Sequence, residues 1–373
     1  MRSLNEKITG TMCLSTDVST NNDAGAFEHL CQPQTYINAF RHCRKESIWK
    51  ASTQKFEENL LVECCNLAGA VRTHTYTPDP YSEFDICERG KPRHIKAPSI
   101  RDRVFMHALC QDILSPRIVP KLIYDNSAAI RGRGISFARR RVLVHLRRYY
   151  HKHGTNQGYV LQTDFSSFFN SIDHKLLYAY LCKYVPEPEI RQLIHMIIDG
   201  FGGNTGIGIG SELSQVAGVL FPSFIDHYCT TVCGCGFYAR YMDDIYIMHP
   251  SLDYLKQLFR KMCIIANSLQ LAFNPKKCHF SKLSRGFSYL KGQYILASTG
   301  KVFYSPSRTS ITRECRKLKH QHRRYLNKKL PLCDIVTSFK SWRGNIIRQY
   351  PHVSSKTLQS IDDLFKRLFG DIL

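Results

Sequence analysis

The alternation of apolar and polar positions along the chain predicts a mixture of helices and short strands. Residues 158–164 form an apolar run that ends at Asp164. Residues 238–248 carry aromatic and β-branched side chains on both sides of Asp243 and Asp244, which indicates a strand, a tight turn and a second strand. Helical spacing of apolar residues predicts helices that begin near Gln34 and Ser99 and helices over 53–70, 135–151, 252–269, 308–329, 333–348 and 354–369.

The two acids at the predicted turn need a counter-charge. Adjacent carboxylates repel each other and lose solvation when they are buried. A hard divalent cation such as Mg²⁺ binds carboxylate oxygens and leaves positions open for substrate phosphates. An isolated Asp-Asp pair is more typical of a polar turn between strands, but these flanks are unusually apolar and aromatic for such a turn. Because Asp164 ends a second apolar strand, the metal interpretation is favoured for Asp164, Asp243 and Asp244.

Composition and charge narrow the class of partner. The chain has 373 residues, of which 43% are hydrophobic and 12% aromatic, enough for two or three subdomains with a core. Its net charge of +22 is spread along the chain and indicates a polyanionic partner, with nucleic acid the first choice over a merely basic soluble protein. No uncharged apolar run approaches the roughly 20 residues of a membrane span, so we expect no membrane association.

The cysteine pattern predicts a reducing compartment. Fifteen cysteines are scattered without any Cys-x-x-Cys spacing, and no secretory leader is recognisable, so we expect free thiols and a cytoplasmic protein. The closest cluster combines His227 with Cys229, Cys233 and Cys235. It is either a zinc site or, as the spacing favours, a group of buried thiols.

Basic segments supply candidate phosphate contacts. Short strands on both sides of Arg89 and Gly90 predict a hairpin with a cationic tip. Lys91 and Arg93 are candidates for gripping a triphosphate, because arginine forks onto phosphate and lysine acts as a point charge. A solvated basic turn is the alternative. The arginine-rich helix over 135–151 suits template or primer phosphates, or is a solvated face.

The order of these segments resembles the reverse transcriptases. A Tyr-Met-Asp-Asp sequence at 241–244 follows an Asp-x-x-x-x-Phe strand end at 164–169, with a Gly-x-x-x-Ser segment at 210–214 between them. These match motifs C, A and B of the polymerase palm. The resemblance covers about 34–369 and implies an α+β right-hand polymerase with fingers, an antiparallel-sheet palm and a helical thumb. It further implies RNA-directed DNA synthesis from dNTPs with two Mg²⁺ ions, an RNA template and a DNA product.

The resemblance also implies roles for the palm residues. Asp164 and Asp243 would bridge both metal ions, with Asp244 less directly bound and the backbone carbonyl of Phe165 as a further ligand. Phe169 stands where the family has an aromatic ring beneath the sugar, and that ring would clash with a 2′-hydroxyl. The alternative is that Phe169 is a core residue.

Two further motifs are matched more loosely. Gly210 and Gln215 belong to the motif B segment, which lies beside the nascent base pair in the family. Lys277, rather than Lys276, would be the lysine of motif D that serves as general acid near the pyrophosphate. The basic tip of the predicted hairpin would close over the incoming nucleotide.

Motif B departs from its usual form of Gly-x-Pro-Gln-Gly-x-x-x-Ser-Pro. Gly208, Ile209 and Gln215 replace the Pro, the Gln and the last Pro. The resulting form resembles reverse transcriptases of diversity-generating retroelements. Retron enzymes and defence-associated enzymes acting against phage are related bacterial groups, and all work with a dedicated non-coding RNA or an accessory protein. A catalytically silent RNA-binding scaffold and an RNA-synthesising polymerase of the same fold are the alternatives.

These matches predict four regions. They are an N-terminal arm (1–33), fingers (34–157), a palm (158–304) whose motif B segment at about 200–225 abuts the fingers, and a helical thumb (305–373). We expect no nuclease or integrase domain after the thumb, because few residues follow the predicted primer-binding strands at 286–292.

Overall fold

The computed structural model describes residues 25–88 and 90–370. In chain order its α-helices are α1 (Gly25–Leu30), α2 (Pro33–Cys43), α3 (Ala51–Glu58), α4 (Leu60–Arg72), α5 (Ile100–Ala108), α6 (Ser115–Ile118), α7 (Ile135–His153), α8 (His174–Leu181), α9 (Pro188–Asp199), α10 (Glu212–Leu220), α11 (Ser223–His227), α12 (Leu252–Ser268), α13 (Arg308–Leu326), α14 (Leu332–Gln349) and α15 (Ser355–Phe369). Its strands are β1 (Ser82–Glu88), β2 (Lys91–Ala97), β3 (Tyr159–Thr163), β4 (Tyr238–Tyr241), β5 (Asp244–His249), β6 (His279–Lys282), β7 (Phe287–Tyr289), β8 (Gly292–Leu296) and β9 (Val302–Pro306).

These elements divide into two compact units. Of the described residues, the first contains those up to 114 with Tyr178–Gly202 and Gly210–Glu212, and the second contains Ser115–Leu177, Gly203–Ile209 and residues 213–370. Helices accompany antiparallel strands in each unit, which confirms the predicted α+β class. Within the residues described, no helix has both the length and the apolar character needed to cross a membrane.

The helices of the first unit enclose an aromatic core. The ring of Phe40 stacks on Phe56 with centroids 5.1 Å apart, and the rings of Tyr76 and Phe105 lie 4.1 Å apart. Strands β1 and β2 form an antiparallel hairpin whose turn includes Gly90 at a φ of 78°. Glycine adopts this left-handed conformation without steric cost, which explains why the hairpin turns there.

The second unit is built on a four-stranded antiparallel sheet with the order β4-β5-β3-β6. The centres of its two middle strands are buried, at Val160 and Leu161 of β3 and at Ile245–Met248 of β5. Val160 of β3 and Tyr246 of β5 share one hydrophobic core with Leu146 and Tyr149 of α7. This packing fixes the ends of β3 and β5, where the acids of the site lie.

A second sheet and three helices complete this unit. Strands β7, β8 and β9 pair in that order, and Tyr289 and Tyr294 pack into the same core as the four-stranded sheet. Helices α13, α14 and α15 enclose a separate core in which the buried rings of Phe339 and Phe365 stack with centroids 4.4 Å apart. The three C-terminal helices agree with the sequence prediction to within three residues at each end.

Some predicted boundaries are corrected by the structure. Residues 1–24 of the predicted arm (1–33) lie outside the described part of the structure. Helix α1 falls within the remainder, where Leu30 is fully buried and its carbonyl accepts a hydrogen bond from the Tyr36 hydroxyl. The single helix predicted over 53–70 is two helices, since Asn59 leaves helical geometry at φ −110° and ψ 24°.

The ranges of the fingers and palm stay a prediction, and the two compact units divide the chain at other residues. Residues 115–157 were assigned to the fingers, yet they belong to the second unit because Val142, Leu146 and Tyr149 of α7 pack into its core. Residues 178–202, assigned to the palm, belong to the first unit. Strand β9 extends the predicted primer-binding strands by a third member, since Tyr304 stacks on Tyr294 with centroids 4.8 Å apart.

Truncation of Phe339 to alanine is expected to destabilise the C-terminal helices by about 3–5 kcal/mol, because a fully buried ring is removed. The chain has two tryptophans, and Trp342 packs beside Phe339. Urea titration followed by Trp342 fluorescence in a Trp49→Phe background measures the change. The control is Leu326→Ala, which alters an exposed residue at the end of α13. A Phe339→Ala midpoint equal to that of the control would contradict this packing.

Candidate active site

The register of the central sheet brings the three predicted acids to the same end of its strands. Strand β3 pairs with β5 so that Thr163 faces Ile245, and the next pair in this register is Asp164 with Asp244. On the other side of β5, Tyr241 pairs with Asp244, which leaves Met242 and Asp243 as the two residues of the turn. Asp164, Asp243 and Asp244 therefore lie at the same end of the sheet.

The turn between β4 and β5 has a left-handed residue. Met242 has a φ of 53°, an uncommon conformation for a residue with a side chain, and a cost of this kind persists only where the surroundings hold the chain. Arg240 donates a hydrogen bond of 3.0 Å from Nη1 to the Met242 carbonyl, and the Met242 sulfur would lie 3.4 Å from a Cβ placed on Gly218. The turn is thus held from inside the protein.

Asp164 is buried and only partly satisfied. Its side chain is 6% exposed, and its Oδ1 has no hydrogen-bond partner among the residues that the structure describes. The other oxygen, Oδ2, accepts from the ammonium of Lys277. The Asp164 carbonyl also accepts a 2.8 Å hydrogen bond from the amide of Asn274, so the predicted motif D segment is tied directly to this acid.

Burial and repulsion change the titration of Asp244. Loss of solvent contact, together with the neighbouring charge of Asp243, raises the pKa of the Asp244 carboxyl to about 7. The Tyr289 hydroxyl donates a 3.2 Å hydrogen bond to the Asp244 carbonyl, which anchors the start of β5 to the second sheet. Ionisation of Asp244 beside the charge of Asp243 is therefore unfavourable.

Phe165 and Phe168 lie in the core, and Phe169 is half-buried. The Phe165 ring stacks on Phe273, and its backbone forms an isolated antiparallel bridge with the same residue. The bridge uses the amide of Ser166 and the carbonyl of Asp164, so the Phe165 carbonyl points toward the opposite side of the strand. The Phe169 ring would lie 3.3 Å from a Cβ on Gly218.

The motif B residues fall in different units. Gly210 belongs to the first unit, where it has a φ of 123° and a Cβ would lie 3.1 Å from the carbonyl oxygen of Lys96. This position requires glycine for both reasons. Gln215 is exposed on α10 in the second unit. Gly206 of the second unit approaches Asn170, and its neighbour Ile207 donates a 2.9 Å hydrogen bond to the Phe169 carbonyl.

The predicted phosphate contacts lie on the hairpin of the first unit. Lys91 begins β2, but its side chain is outside the described part of the structure. Arg93 is exposed on β2 opposite Ile86. Their assignment to triphosphate binding stays a prediction.

The described residues contain no ready-made cluster of metal-binding side chains. Across residues 25–88 and 90–370, no group of three or more His, Cys, Asp or Glu side chains is arranged to do so. The ammonium of Lys277 lies against the Asp164 carboxylate, and this ammonium supplies a positive charge at the acid. In the possible zinc cluster, His227 is hydrogen-bonded at 2.9 Å to the Lys121 carbonyl, and Cys235 lies 3.5 Å from the Tyr254 hydroxyl.

Sequence reasoning missed the charged pair beneath the turn. Arg240 of β4 and Asp226 of α11 are fully buried, and Arg240 Nη2 lies 2.6 Å from Asp226 Oδ2. The available signal was the position of Arg240 inside an otherwise apolar and aromatic strand. A buried arginine requires a partner, but nothing in the spacing identifies Asp226 as that partner.

Comparison with known proteins identifies a domain within this chain. The reverse transcriptase (RNA-dependent DNA polymerase) family matches residues 80–295, a range that contains all three acids. Members of this family are nucleotidyltransferases. No curated protein sequence matches the chain.

One solved telomerase has a similar fold. The telomerase of Candida albicans, in complex with the TWJ fragment of telomeric RNA, matches with a TM-score of 0.51 and 11% identity over 79% of this chain and 60% of that one. Two apo telomerases of Candida tropicalis, one truncated from its C-terminal domain, match at 12% identity with TM-scores of 0.48 and 0.46. They cover 61% and 63% of this chain and 48% and 58% of their own.

At these identities the likeness concerns the fold alone, and this chain spans about half to three-fifths of the length of those telomerases. The first of these structures and the antiparallel sheet with acids at one edge agree with a right-hand polymerase architecture. The family match extends over more than half of the residues. The chain therefore belongs to the reverse transcriptase family.

Proposed function

We propose that this protein is an RNA-directed DNA polymerase that adds deoxynucleotides to a primer hydroxyl with the help of two Mg²⁺ ions. The main support for this proposal is the pairing of β3 with β5, because this pairing brings Asp164, Asp243 and Asp244 to the same end of the sheet. Nucleotidyl transfer on two divalent ions requires acids from separate elements that converge in this way.

The chemistry of these side chains fits bound divalent cations. Asp164 presents a buried oxygen that no described residue satisfies, and burial together with the charge of Asp243 raises the pKa of Asp244. Asp164, Asp243 and Asp244 would be the carboxylate ligands, with the Phe165 carbonyl beside them. When bound, such ions supply the Lewis-acid charge that activates the primer hydroxyl and neutralises the departing pyrophosphate.

Lys277 would act on the phosphates. Its side chain is about half exposed and its ammonium contacts Asp164, so the ammonium could exchange the acid for an arriving triphosphate without unfolding the chain. Released from Asp164, the ammonium could donate its proton to the pyrophosphate oxygen as a general acid. Lys91 and Arg93 of the hairpin would hold the triphosphate, and Gly210 and Gln215 of motif B would accompany the nascent base pair.

Phe169 would select the sugar. Its ring is half-buried and limited on one side by Gly218, so its free edge has little room to retreat. A 2′-hydroxyl at that edge would meet the ring, which supports dNTPs rather than ribonucleotides as substrates.

Positive charge supports an RNA template and a DNA product. The exposed side of α7 carries Arg140, Arg147 and Arg148, and α13 has seven lysine and arginine residues, of which Arg308, Arg313 and Arg316 line one shallow cavity. The Candida albicans telomerase with the similar fold is itself bound to an RNA fragment. These helices could neutralise the phosphates of a template–primer duplex.

The biological setting is proposed from motif B. Its Gly210, Ser214 and Gln215 pattern, preceded by Ile209, supports a bacterial retroelement or antiphage defence system, in which the enzyme copies a dedicated non-coding RNA with or without an accessory protein. Sequencing the nucleic acid that copurifies with the protein tests this setting.

Replacing Asp244 with asparagine should stabilise the metal-free protein at pH 8 and have little effect at pH 4. A folded-state pKa of about 7, above the unfolded value, means that wild-type stability falls as the pH rises from 4 through 7. The gain at pH 8 should be on the order of 1–3 kcal/mol, allowing for screening of a partly exposed group. Thermal melts in the presence of a chelator measure this gain. The control is Asp363→Asn, which changes an exposed residue of α15. Equal melting temperatures at pH 8 for Asp244→Asn and wild type would contradict the repulsion.

Asp243→Ala is expected to reduce dNTP incorporation on an RNA template by roughly a thousandfold or more while RNA binding persists, because the charge that serves the transition state is removed from a turn distant from α7 and α13 in the sequence. Primer extension and a filter-binding assay measure the two properties separately. Asp363→Ala serves as the matched acid control. Continued extension by Asp243→Ala would remove Asp243 from the site, whereas an inactive wild-type protein that binds RNA would favour the silent scaffold.

Phe169→Ala should relax sugar discrimination on the order of tenfold or more, because the ring that meets a 2′-hydroxyl is lost. The measurement is the ratio of kcat/KM for a dNTP and its ribonucleotide. Phe259→Ala, which removes a half-buried ring of α12 that packs on Phe273, controls for general loosening. Discrimination that stays at the wild-type ratio in Phe169→Ala would exclude the ring as the gate.

A further inference from the structure

The guanidinium of Arg240 is a buried charged group with a dense set of hydrogen bonds. Arg240 lies on β4 with its side chain 0% exposed, and Tyr238, two residues earlier, points to the same buried side. Both converge on Asp226 of α11. The Tyr238 hydroxyl donates to Asp226 Oδ1 at 2.6 Å, and Arg240 Nε donates to the same oxygen at 2.7 Å.

All five N–H donors of this guanidinium have an acceptor. Besides the bond from Nε, Nη2 donates to Asp226 Oδ2 and to the Val219 carbonyl, both at 2.6 Å. Nη1 donates to the Met242 carbonyl at 3.0 Å and, more weakly, to the Gly218 carbonyl at 3.4 Å. Arginine has five donors in a planar fork, so the site uses its full capacity.

The acceptors connect two parts of the candidate active site. Gly218 and Val219 belong to the last turn of α10, where carbonyls lack partners within the helix and a cation is favourable. Met242 is the left-handed residue of the turn, and its carbonyl belongs to the peptide that leads into Asp243. One side chain therefore caps α10 and fixes the orientation of that peptide.

We propose that Arg240 is a positioning residue that holds the Met242–Asp243 peptide, and through it the carboxylates of Asp243 and Asp244, in the arrangement that binds divalent cations. This role rests on the proposed polymerase function, which assigns the cations to these acids. Asp226 keeps the guanidinium in place, and the carbonyls of α10 set its depth beneath the turn.

Stability alone is a poor reason for such a pair. Desolvation of two buried charges largely offsets their attraction, and apolar residues of similar volume often replace a buried ion pair without loss of stability. A fork that reaches three carbonyls in addition to its carboxylate performs a geometric task instead. Lysine would keep the charge, but a point charge with three donors cannot reach all five acceptors.

The test is Arg240→Lys, with Mn²⁺ as a paramagnetic probe of the free protein. We expect Mn²⁺ binding, measured by electron paramagnetic resonance, to weaken by roughly tenfold or more, as is common when a residue that orients metal ligands is changed. Primer extension should show kcat lowered by a similar factor, KM for dNTP within threefold, and a higher Mg²⁺ concentration for half-maximal rate. A role limited to stability would not move Mn²⁺ affinity in a protein that remains folded.

Arg343→Lys is the matched control. Arg343 of α14 forks onto Asp362 of α15, with Nε and Nη2 each 2.8 Å from a carboxylate oxygen, but it lies among the C-terminal helices. The same substitution there should leave Mn²⁺ affinity and kcat within twofold of wild type. If Arg240→Lys does so too, or if wild type binds no Mn²⁺, the proposal is overturned.

A second variant covers the case in which Arg240→Lys does not fold. The double change Asp226→Asn with Arg240→Gln removes both buried charges while keeping polar side chains at both positions, and circular dichroism shows whether it is folded. It should show the same loss of Mn²⁺ binding, and a folded double variant with wild-type affinity would overturn the role of Arg240. A wild type that binds Mn²⁺ yet extends no primer would instead refute the proposed polymerase function, while the binding comparison still decides the role of Arg240.

Discussion

The antiparallel pairing of β3 with β5 is the constraint on which the site depends. In such a ladder each residue has a fixed partner, and a slip by one position would turn every side chain to the other face. The buried residues of both strands oppose such a slip, because Val160 and Tyr246 would leave the core. The same packing that stabilises the sheet therefore keeps Asp164 opposite Asp244.

The position of these acids removes part of their contact with water, and neighbouring side chains hold the backbone and one of the carboxylates in place. Tyr289 anchors the Asp244 carbonyl, Arg240 anchors the Met242 carbonyl, and Lys277 lies against Asp164. None of these contacts removes the repulsion between the two acids of the turn. The backbone of the site is thus fixed, while the carboxylates of Asp243 and Asp244 still repel each other.

Much of this arrangement could be predicted from local patterns, and the remainder depends on tertiary contacts. The strand that ends at Asp164, the turn at Asp243 and the C-terminal helices follow from periodicity and residue type. The unit to which α7 belongs could not be read from its arginines, because its membership is decided by buried Val142 and Leu146 on the opposite face. Likewise, the pairing of Arg240 with Asp226 depends on how α11 packs beneath β4, and no spacing in the chain encodes it.

Gly218 links two properties that are usually considered separately. It lies inside α10, where glycine costs roughly 1 kcal/mol relative to alanine. A Cβ there would lie 3.3 Å from the Phe169 ring and 3.4 Å from the Met242 sulfur. A larger residue at this position would press on the Phe169 ring and on the side chain of the turn residue Met242 at the same time. With the roles proposed above for Phe169 and the turn, a substitution at Gly218 would alter substrate choice and turnover together, so the two properties could not evolve independently at that position.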